Sequence, residues 1–218
     1  MKKTLAALTA LLTVCLAPSA MAAGAPEATL SADGRATFIA PGARSAGSSA
    51  QLSHDGLTVI VNTFSNDPNN LYDCCAGWTV SSRGSIVGAK QAVAMPFTPA
   101  SDTNLRKVVV AVGWVTGLNH VTMSLAADSG GMPGDSIKRG QETDLNVFGD
   151  CCAVTAIPSK PIPLMGGVQY WIVARATSDT WSAWNDNNIG ASGTFAYNSG
   201  SGWNLTQSTL SAFAVYGD

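Results

Sequence analysis

The fold is decided by the stretch LRKVVVAVGWV, residues 105–115, which is the strongest β-forming segment of the chain. β-Branched side chains favour extended strands, and five valines fall within these eleven residues. The segment TGLNH, residues 116–120, follows and has turn-forming residues, and VTMSL, residues 121–125, then alternates apolar and polar side chains. The pattern predicts two strands that pair as an antiparallel hairpin.

Shorter segments with the same period of two extend to the end of the chain, and turn residues separate them. No segment after residue 22 carries a helical period over three turns. Many short strands between Gly, Pro and Asn turns indicate an all-β antiparallel sandwich or jelly roll formed by a single domain, residues 56–218. The further predicted strands are residues 57–61, 78–80, 92–95, 170–174 and 213–216.

The first 22 residues have the pattern of an export signal. Lys2 and Lys3 precede an apolar run over residues 5–16, and small residues at positions 19–22 provide a cleavage site after Ala22. Cys15 raises lipidation as an alternative, although Val14 before it is bulky for such a site. Residues 23–55 are rich in Ala, Gly and Ser, and we interpret them as a flexible leader with at most one docking strand, at residues 36–39. The protein is therefore expected to be secreted, either to the periplasm or outside the cell.

Charge argues against two classes of partner. Without Lys2 and Lys3 the chain has a net charge of about −4, and it contains no cluster of basic residues. Nucleic acid and anionic membrane surfaces are both bound through several Lys and Arg side chains. No later apolar run is long enough to span a membrane. We therefore expect neither a nucleic-acid partner nor a membrane span.

Four cysteines form two doublets, Cys74-Cys75 and Cys151-Cys152, which lie 77 residues apart. Export to an oxidising compartment predicts that they form disulfides. Each doublet can close a vicinal ring, or the two doublets can be bridged over the long range, and the sequence leaves both open. A thiolate metal site is the alternative, but neither doublet has the C-x2-C spacing that such sites use. We predict no metal and no cofactor.

The turn DSGGMPG, residues 128–134, resembles the SDSGGxPG turn of bacterial secreted domains of the choice-of-anchor type, including relatives with paired cysteines. The similarity extends to YDCCAGW at residues 72–78, FGDCC at 148–152, QYW at 169–171 and AFAVYG at 212–217. The resemblance covers roughly residues 57–218. It implies an exported β-sandwich that is tethered to the cell surface or released from it, and it implies no established activity.

Tryptophans beside amides suggest a ligand site. The segment TWSAWNDNN, residues 180–188, places two indoles three residues apart, so in a strand they would point to opposite faces, one into the core and the other outward to solvent. Sugars stack on exposed aromatic rings and bond to amides, which makes this segment and the loop before Trp203 candidates for binding a glycan. Burial in the core or at its rim is the alternative for Trp184 and Trp203. The candidate ligand residues are Trp181, Trp184, Asn185, Asp186, Asn188 and Trp203.

Catalysis and calcium binding have weaker support. The chain lacks the HExxH and GxSxG motifs, and its only glutamates are Glu27 and Glu142. Acidic loops near Asp67, Asp128 and Asp186 offer oxygen ligands without the full EF-hand pattern, so Asx turns are the simpler interpretation.

The sequence thus predicts a non-enzymatic, exported binding protein for an extracellular glycan or another envelope component. One alternative is a structural or matrix protein that self-associates through exposed strand edges. A hydrolase that uses loop aspartates is the third hypothesis.

Overall fold

The computed structural model describes residues 28–38, 56–140, 142–150, 153–156 and 158–218. Within these ranges the chain forms β-strands and no helix, and every strand pairing between named strands is antiparallel. The strands lie in three sheets with a sandwich-like arrangement. The prediction of an all-β antiparallel sandwich is confirmed.

Sheet I has five strands in the order β1-β2-β4-β14-β7. Strand β14 pairs with β4 on one side and with β7 on the other. The strands of sheet I are β1 (Ala28–Leu30), β2 (Arg35–Phe38), β4 (Ala76–Ser81), β7 (Val112–Thr116) and β14 (Trp181–Asn185).

Sheet II is the largest, with the order β10-β8-β13-β5-β15-β16, and β9 pairs with β8 as well. Strand β16 lies at one edge and, among the residues that the structure describes, pairs with β15 alone. The strands of sheet II are β5 (Ala92–Phe97), β8 (His120–Asp128), β9 (Pro133–Arg139), β10 (Glu142–Thr143), β13 (Tyr170–Ala176), β15 (Ser192–Asn198) and β16 (Trp203–Thr209).

Sheet III has the order β11-β6-β17-β3, and β12 pairs with β6 beyond the end of β11. The C-terminal strand therefore lies inside this sheet, between β6 and β3. The strands of sheet III are β3 (Thr58–Asn62), β6 (Thr103–Val110), β11 (Val154–Ala156), β12 (Ile162–Leu164) and β17 (Phe213–Gly217).

Sheets I and III together form one layer of the sandwich, and sheet II forms the other. Backbone hydrogen bonds join the first two where they meet: Asn185 N donates to Ala111 O at 2.8 Å, Ala111 N to Ala212 O at 3.1 Å, and Ala212 N to Asn185 O at 2.8 Å. The main hydrophobic core collects buried side chains from all three sheets, among them Trp78 and Trp184 from sheet I, Met95 and Ile172 from sheet II, and Val110 and Phe213 from sheet III.

The predicted hairpin between residues 105–115 and 121–125 does not form. The first stretch divides at Ala111 into β6 of sheet III and β7 of sheet I, and the chain then crosses to β8 of sheet II. The connecting turn is held from another loop, because Leu118 N donates to the Asp179 carboxylate at 2.9 Å and Thr180 Oγ1 donates to Leu118 O at 2.6 Å. Local sequence predicted the strands correctly, but their partners are set by contacts distant in the chain.

Part of the predicted leader belongs to sheet I. Strand β2 lies where the sequence predicted a docking strand and pairs with β4, and β1 extends the sheet by one more strand. The Arg35 guanidinium lies 5.0 Å from the centre of the Trp78 ring. The predicted export signal, residues 23–27 and residues 39–55 lie outside the described ranges.

Candidate functional site

The predicted ligand segment at residues 181–188 lies in the centre of the layer that sheets I and III form. Trp184 pairs with Trp78 on one side and Val112 on the other, and its side chain is 0% exposed. Its indole N–H donates to Ala212 O at 3.0 Å, and its ring meets Phe213 edge to face. Trp184 is therefore a core residue and not a stacking surface, because strands cover both of its edges and sheet II covers its face.

Trp181 points to the opposite face of β14, as its spacing from Trp184 predicted. It packs with Ala36, Val115, Phe148 and Ala183 in a separate buried cluster and is 5% exposed. The expectation that one of the two indoles would face solvent is wrong. The reason is that sheet I is buried on both faces at this position.

The asparagine side chains of this segment bond to backbone groups of neighbouring loops. Asn185 Nδ2 donates to Asp73 O at 3.0 Å, and Asn188 Nδ2 donates to Asn70 O at 2.7 Å. The side chain of Asn187 donates to Leu210 O and accepts from Ala191 N, which closes the loop before β15. Of the predicted ligand residues in this segment only Asn188 is exposed, and its amide already holds a neighbouring loop.

Asp186 forms an ion pair with Arg35 of β2, and the carboxylate is almost fully buried. Its other oxygen, Oδ1, is buried without a hydrogen bond. The backbone N–H of Asp73 donates to Asp186 O at 3.0 Å, so the residue also holds the loop before β4. Asp186 thus ties the N-terminal hairpin and the Asp73 loop to the end of β14.

Trp203 differs from the other predicted residues because it is partly exposed. It begins the edge strand β16 and pairs with Asn198, whereas Thr209 at the far end of β16 pairs with Ser192. At about 3.4 Å per residue the hairpin is about 20 Å long. Because Asn188 lies before Ser192, it is at the opposite end from Trp203. The six predicted ligand residues therefore do not form one site.

The outer face of sheet II, away from the main core, carries Trp203. A buried cluster of small and aromatic residues lies there, and Trp203 packs against it. We call this region the Trp203 platform; it consists of the partly exposed side chains of Trp203 and Arg175 and the buried cluster beneath them, which is Ala94, Ala126, Trp171, Val173 and Ala196.

Arg175 completes the Trp203 platform, and sequence reasoning missed it. Its guanidinium lies 5.4 Å from the centre of the Trp203 ring, and Nη1 donates to Ser124 Oγ at 3.2 Å. Burial, and next the nearby charge of Arg139, lower the pKa of Arg175. Strands β13 and β16 are three places apart, which is about 14 Å, so the two side chains meet across the row that holds Ala92 of β5 and Asn198 of β15. A signal was present in the sequence, since the small residues Ala92 and Ala94 at alternate positions of β5 leave space for large neighbours.

The turn that carries the family resemblance is organised by Asp128. Its Oδ1 accepts hydrogen bonds from the indole of Trp171 and from Gln169, both at 2.8 Å, and its Oδ2 accepts from Gly131 N at 2.9 Å. Burial raises the pKa of Asp128, but these hydrogen bonds outweigh it and the pKa lies below its ordinary value. Gly131 has a φ of 82°, a conformation that favours glycine. The Asp128 carboxylate therefore holds this turn through hydrogen bonds, as the side chain of an Asx turn does.

The two cysteines of the first doublet differ in their bonding. Cys75 carries a free thiol, whereas Cys74 is disulfide-bonded, so the two do not close a vicinal ring. No disulfide joins two cysteines of the described residues, and Cys151 and Cys152 lie outside them. Burial, and then the charge of Asp73, raise the pKa of the Cys75 thiol. The prediction that Cys75 is oxidised disagrees with this structure.

The described residues contain no group of three or more His, Cys, Asp and Glu side chains placed to hold a metal ion. They also contain no helix with the length and apolar character needed to cross a bilayer.

The fold and these contacts define an all-β, sandwich-like protein with one partly exposed aromatic platform. No family model matches the chain, and neither a curated protein nor a solved structure is significantly similar to it. The resemblance to choice-of-anchor domains stays a prediction.

Proposed function

We propose that this is an exported, non-catalytic binding protein and that its ligand is an extracellular or envelope glycan held at the Trp203 platform. The observation that carries the proposal is the partly exposed indole of Trp203 beside the Arg175 guanidinium. An indole offers an apolar surface to the C–H face of a pyranose ring, and guanidinium N–H groups donate to hydroxyl or carboxylate oxygens.

The surroundings of Trp203 favour a polar ligand. Asn198 lies opposite it on β15, and the exposed side chains of Thr194 and Gln207 lie opposite each other on the same face, beyond the Ala196–Leu205 pair. Amides and hydroxyls of this kind bond to sugar hydroxyls. Arg175 and Arg139 bring two positive charges near one another, so a glycan with acidic groups fits this surface better than a neutral one.

Titration of the purified protein with oligosaccharides tests this proposal. Uronic-acid oligomers and neutral oligomers of equal length are compared by calorimetry, and Trp203→Ala is expected to lose at least tenfold in affinity for the bound class. Trp114→Phe is the matched control, because Trp114 is also partly exposed but its indole donates to Gly117 O at a turn of another sheet. Equal loss in both variants, or binding that Trp203→Ala does not change, contradicts the proposal.

A second candidate function, self-association, has support from strand β16. From Asn187 to Gly217 the chain has no charged residue, and β16 lies at the edge of sheet II with Leu205 44% exposed. Edge strands without charge or proline are templates for pairing with another chain. Sedimentation velocity tests it: Leu205→Lys abolishes concentration-dependent assembly if β16 pairs with a second copy, while Ile86→Lys, at an exposed site outside the strands, leaves assembly unchanged.

We also propose that a long-range disulfide stabilises the exported domain, with Cys74 bonded to a cysteine of the second doublet. Cys74 packs against a cluster that includes Ala153, the residue that directly follows Cys152 in the chain. The contact brings the neighbourhoods of both doublets together. Peptide mapping without reduction is expected to recover Cys74 cross-linked to the 151–152 peptide and Cys75 alkylated. A vicinal Cys74–Cys75 ring contradicts the proposal.

A further inference from the structure

The open side of the sandwich contains an apolar cleft that borders the Trp203 platform, since Ser124, which accepts a hydrogen bond from Arg175, lines the cleft. It lies between β9, at an edge of sheet II, and the strands β11 and β12, at an edge of sheet III. Its volume is about 80 Å³, and its walls are formed by core side chains of both layers. Among them are Leu105, Val110, Met123, Leu125, Ile162 and Ile172.

The rim of this cleft is positively charged. Lys138 and Arg139 at the end of β9 line it, and both side chains are exposed. Within the described residues, neither side chain has a carboxylate at ion-pair distance; the described ion pairs join Arg35 to Asp186 and Arg106 to Asp218. Within the part of the chain that the structure describes, the mouth of this apolar cleft therefore holds two cations without a carboxylate partner.

We propose that the cleft binds the end of a single alkyl chain whose anionic group is held by Lys138 and Arg139. The apolar walls favour methylene groups over polar atoms, because burying an unpaired polar group is costly. An apolar cavity of about 150 Å³ admits benzene. The cleft has about half that volume, so a narrow chain end fits it and a fused ring system does not. The ligand class is an amphipathic anion, either a free fatty acid or an acyl chain of an anionic lipid.

Binding of dodecanoate to the purified protein, measured by calorimetry below its micellar concentration, tests the inference. We expect saturable binding of one molecule, at least tenfold tighter than that of dodecyltrimethylammonium, which has the same chain and the opposite charge. Lysophosphatidylglycerol distinguishes the sources: binding of both anions indicates a lipid chain, and binding of dodecanoate alone indicates a free fatty acid.

Two kinds of variant locate the site. The double substitution Lys138→Gln with Arg139→Gln is expected to weaken dodecanoate binding at least tenfold, while Lys90→Gln with Arg83→Gln, an equal loss of charge at exposed positions outside the cleft, leaves it unchanged. Ala156→Phe fills the cleft from β11 and is expected to block binding. If this variant fails to fold, the charge variants still decide.

Three results overturn the inference. They are equal binding of the two amphiphiles, binding that does not saturate, and binding that survives both the charge and the filling substitutions. Arg139 lies near both sites, but Trp203 does not line the cleft. Trp203→Ala is therefore expected to leave dodecanoate binding unchanged, and this variant distinguishes failure at the cleft from failure at the Trp203 platform.

Discussion

Strands β14 and β16 look alike in sequence, and the structure gives them opposite surroundings. Each combines tryptophan with asparagine and with hydroxyl side chains, WSAWN in β14 and WNLTQST in β16. Every residue of β14 is buried, whereas β16 contains no residue that is fully buried. The composition of a strand therefore does not determine whether its indole lies in the core or at the surface.

The number of neighbouring strands explains the difference. Strand β14 lies between β4 and β7, and its backbone also joins sheet III through Asn185. Among the described strands, β16 has β15 on one side and no neighbour on the other. A strand inside a sheet that is covered on both faces has no exposed positions, and an edge strand keeps one side free.

The largest expected effect contrasts the two indoles directly. Trp184→Ala removes a fully buried side chain and is expected to lower the free energy of unfolding by about 3–5 kcal/mol. Trp203→Ala removes a partly exposed ring and is expected to cost about 1 kcal/mol or less. Urea unfolding followed by circular dichroism measures both, and equal costs would mean that Trp203 is a core residue.

Next in size is the loss of the ion pair at the end of β14. Asp186→Asn leaves Arg35 without its partner at a site where the carboxylate is buried, and we expect a loss of about 2 kcal/mol because Arg35 is partly exposed. Asp218→Asn is the matched control. Its pair with Arg106 is exposed and screened by solvent, so no measurable change in urea unfolding is expected. A variant Asp186→Asn as stable as the parent would contradict the structural role given to this pair.

Trp184 is buried and Trp203 is partly exposed, and this difference shows which structural properties can be predicted from the sequence. The period of two identified most strands, since residues 78–80, 92–95 and 213–216 all lie within β4, β5 and β17. It also placed Trp181 and Trp184 on opposite faces. These properties depend on neighbours in the chain.

The pairing partners of the strands, and the layer to which each strand belongs, could not be predicted from this pattern. Nothing local to residues 105–125 indicates that the chain visits three sheets, or that residues 181–185 lie between β4 and β7. The polar side chains of Asn185 and Asn188 suggested a surface, but their partners are carbonyls of residues 73 and 70, more than a hundred positions earlier. Arg175 was missed for the same reason, because its contact with Trp203 crosses two intervening strands.

Alanine substitutions at two glycines, Gly77 and Gly193, are expected to have smaller effects on stability that differ clearly from each other. A Cβ on Gly77 of β4 would lie 2.5 Å from the Trp184 carbonyl oxygen, a backbone atom that cannot move aside. A Cβ on Gly193 of β15 would lie 3.5 Å from the Leu210 side chain, which is ordinary contact. Gly77→Ala is expected to destabilise by about 1–3 kcal/mol through overpacking, and Gly193→Ala to be neutral or stabilising by about 0.5 kcal/mol. Thermal unfolding of both variants checks this, and a tolerated Gly77→Ala would place β14 further from β4.

The smallest expected effect is a pH dependence of the stability, which arises from Asp128 on the outer face of sheet II. Asp128 accepts a hydrogen bond from Trp171, a member of the Trp203 platform, and its pKa is lowered in the folded protein. A carboxyl whose folded pKa lies below its unfolded value of about 4 stabilises the fold above that pH and loses the contribution as the pH falls through the folded pKa. Asp128→Asn is therefore expected to cost about 1 kcal/mol at pH 7.

The difference in stability between the parent protein and Asp128→Asn should then shrink as the pH is lowered below about 4, because the parent carboxylate becomes protonated while the amide does not change. Urea unfolding at several pH values measures it, and Trp184→Ala serves as the comparison, since its cost comes from apolar burial and should not follow the titration of Asp128. A pH-independent difference for Asp128→Asn would show that the turn is held by its backbone geometry and not by the charged carboxylate. In that case the Trp203 platform and the core would differ only in exposure. The contacts that run from Asp128 through Trp171 to Trp203 would then contribute nothing to the free energy of unfolding.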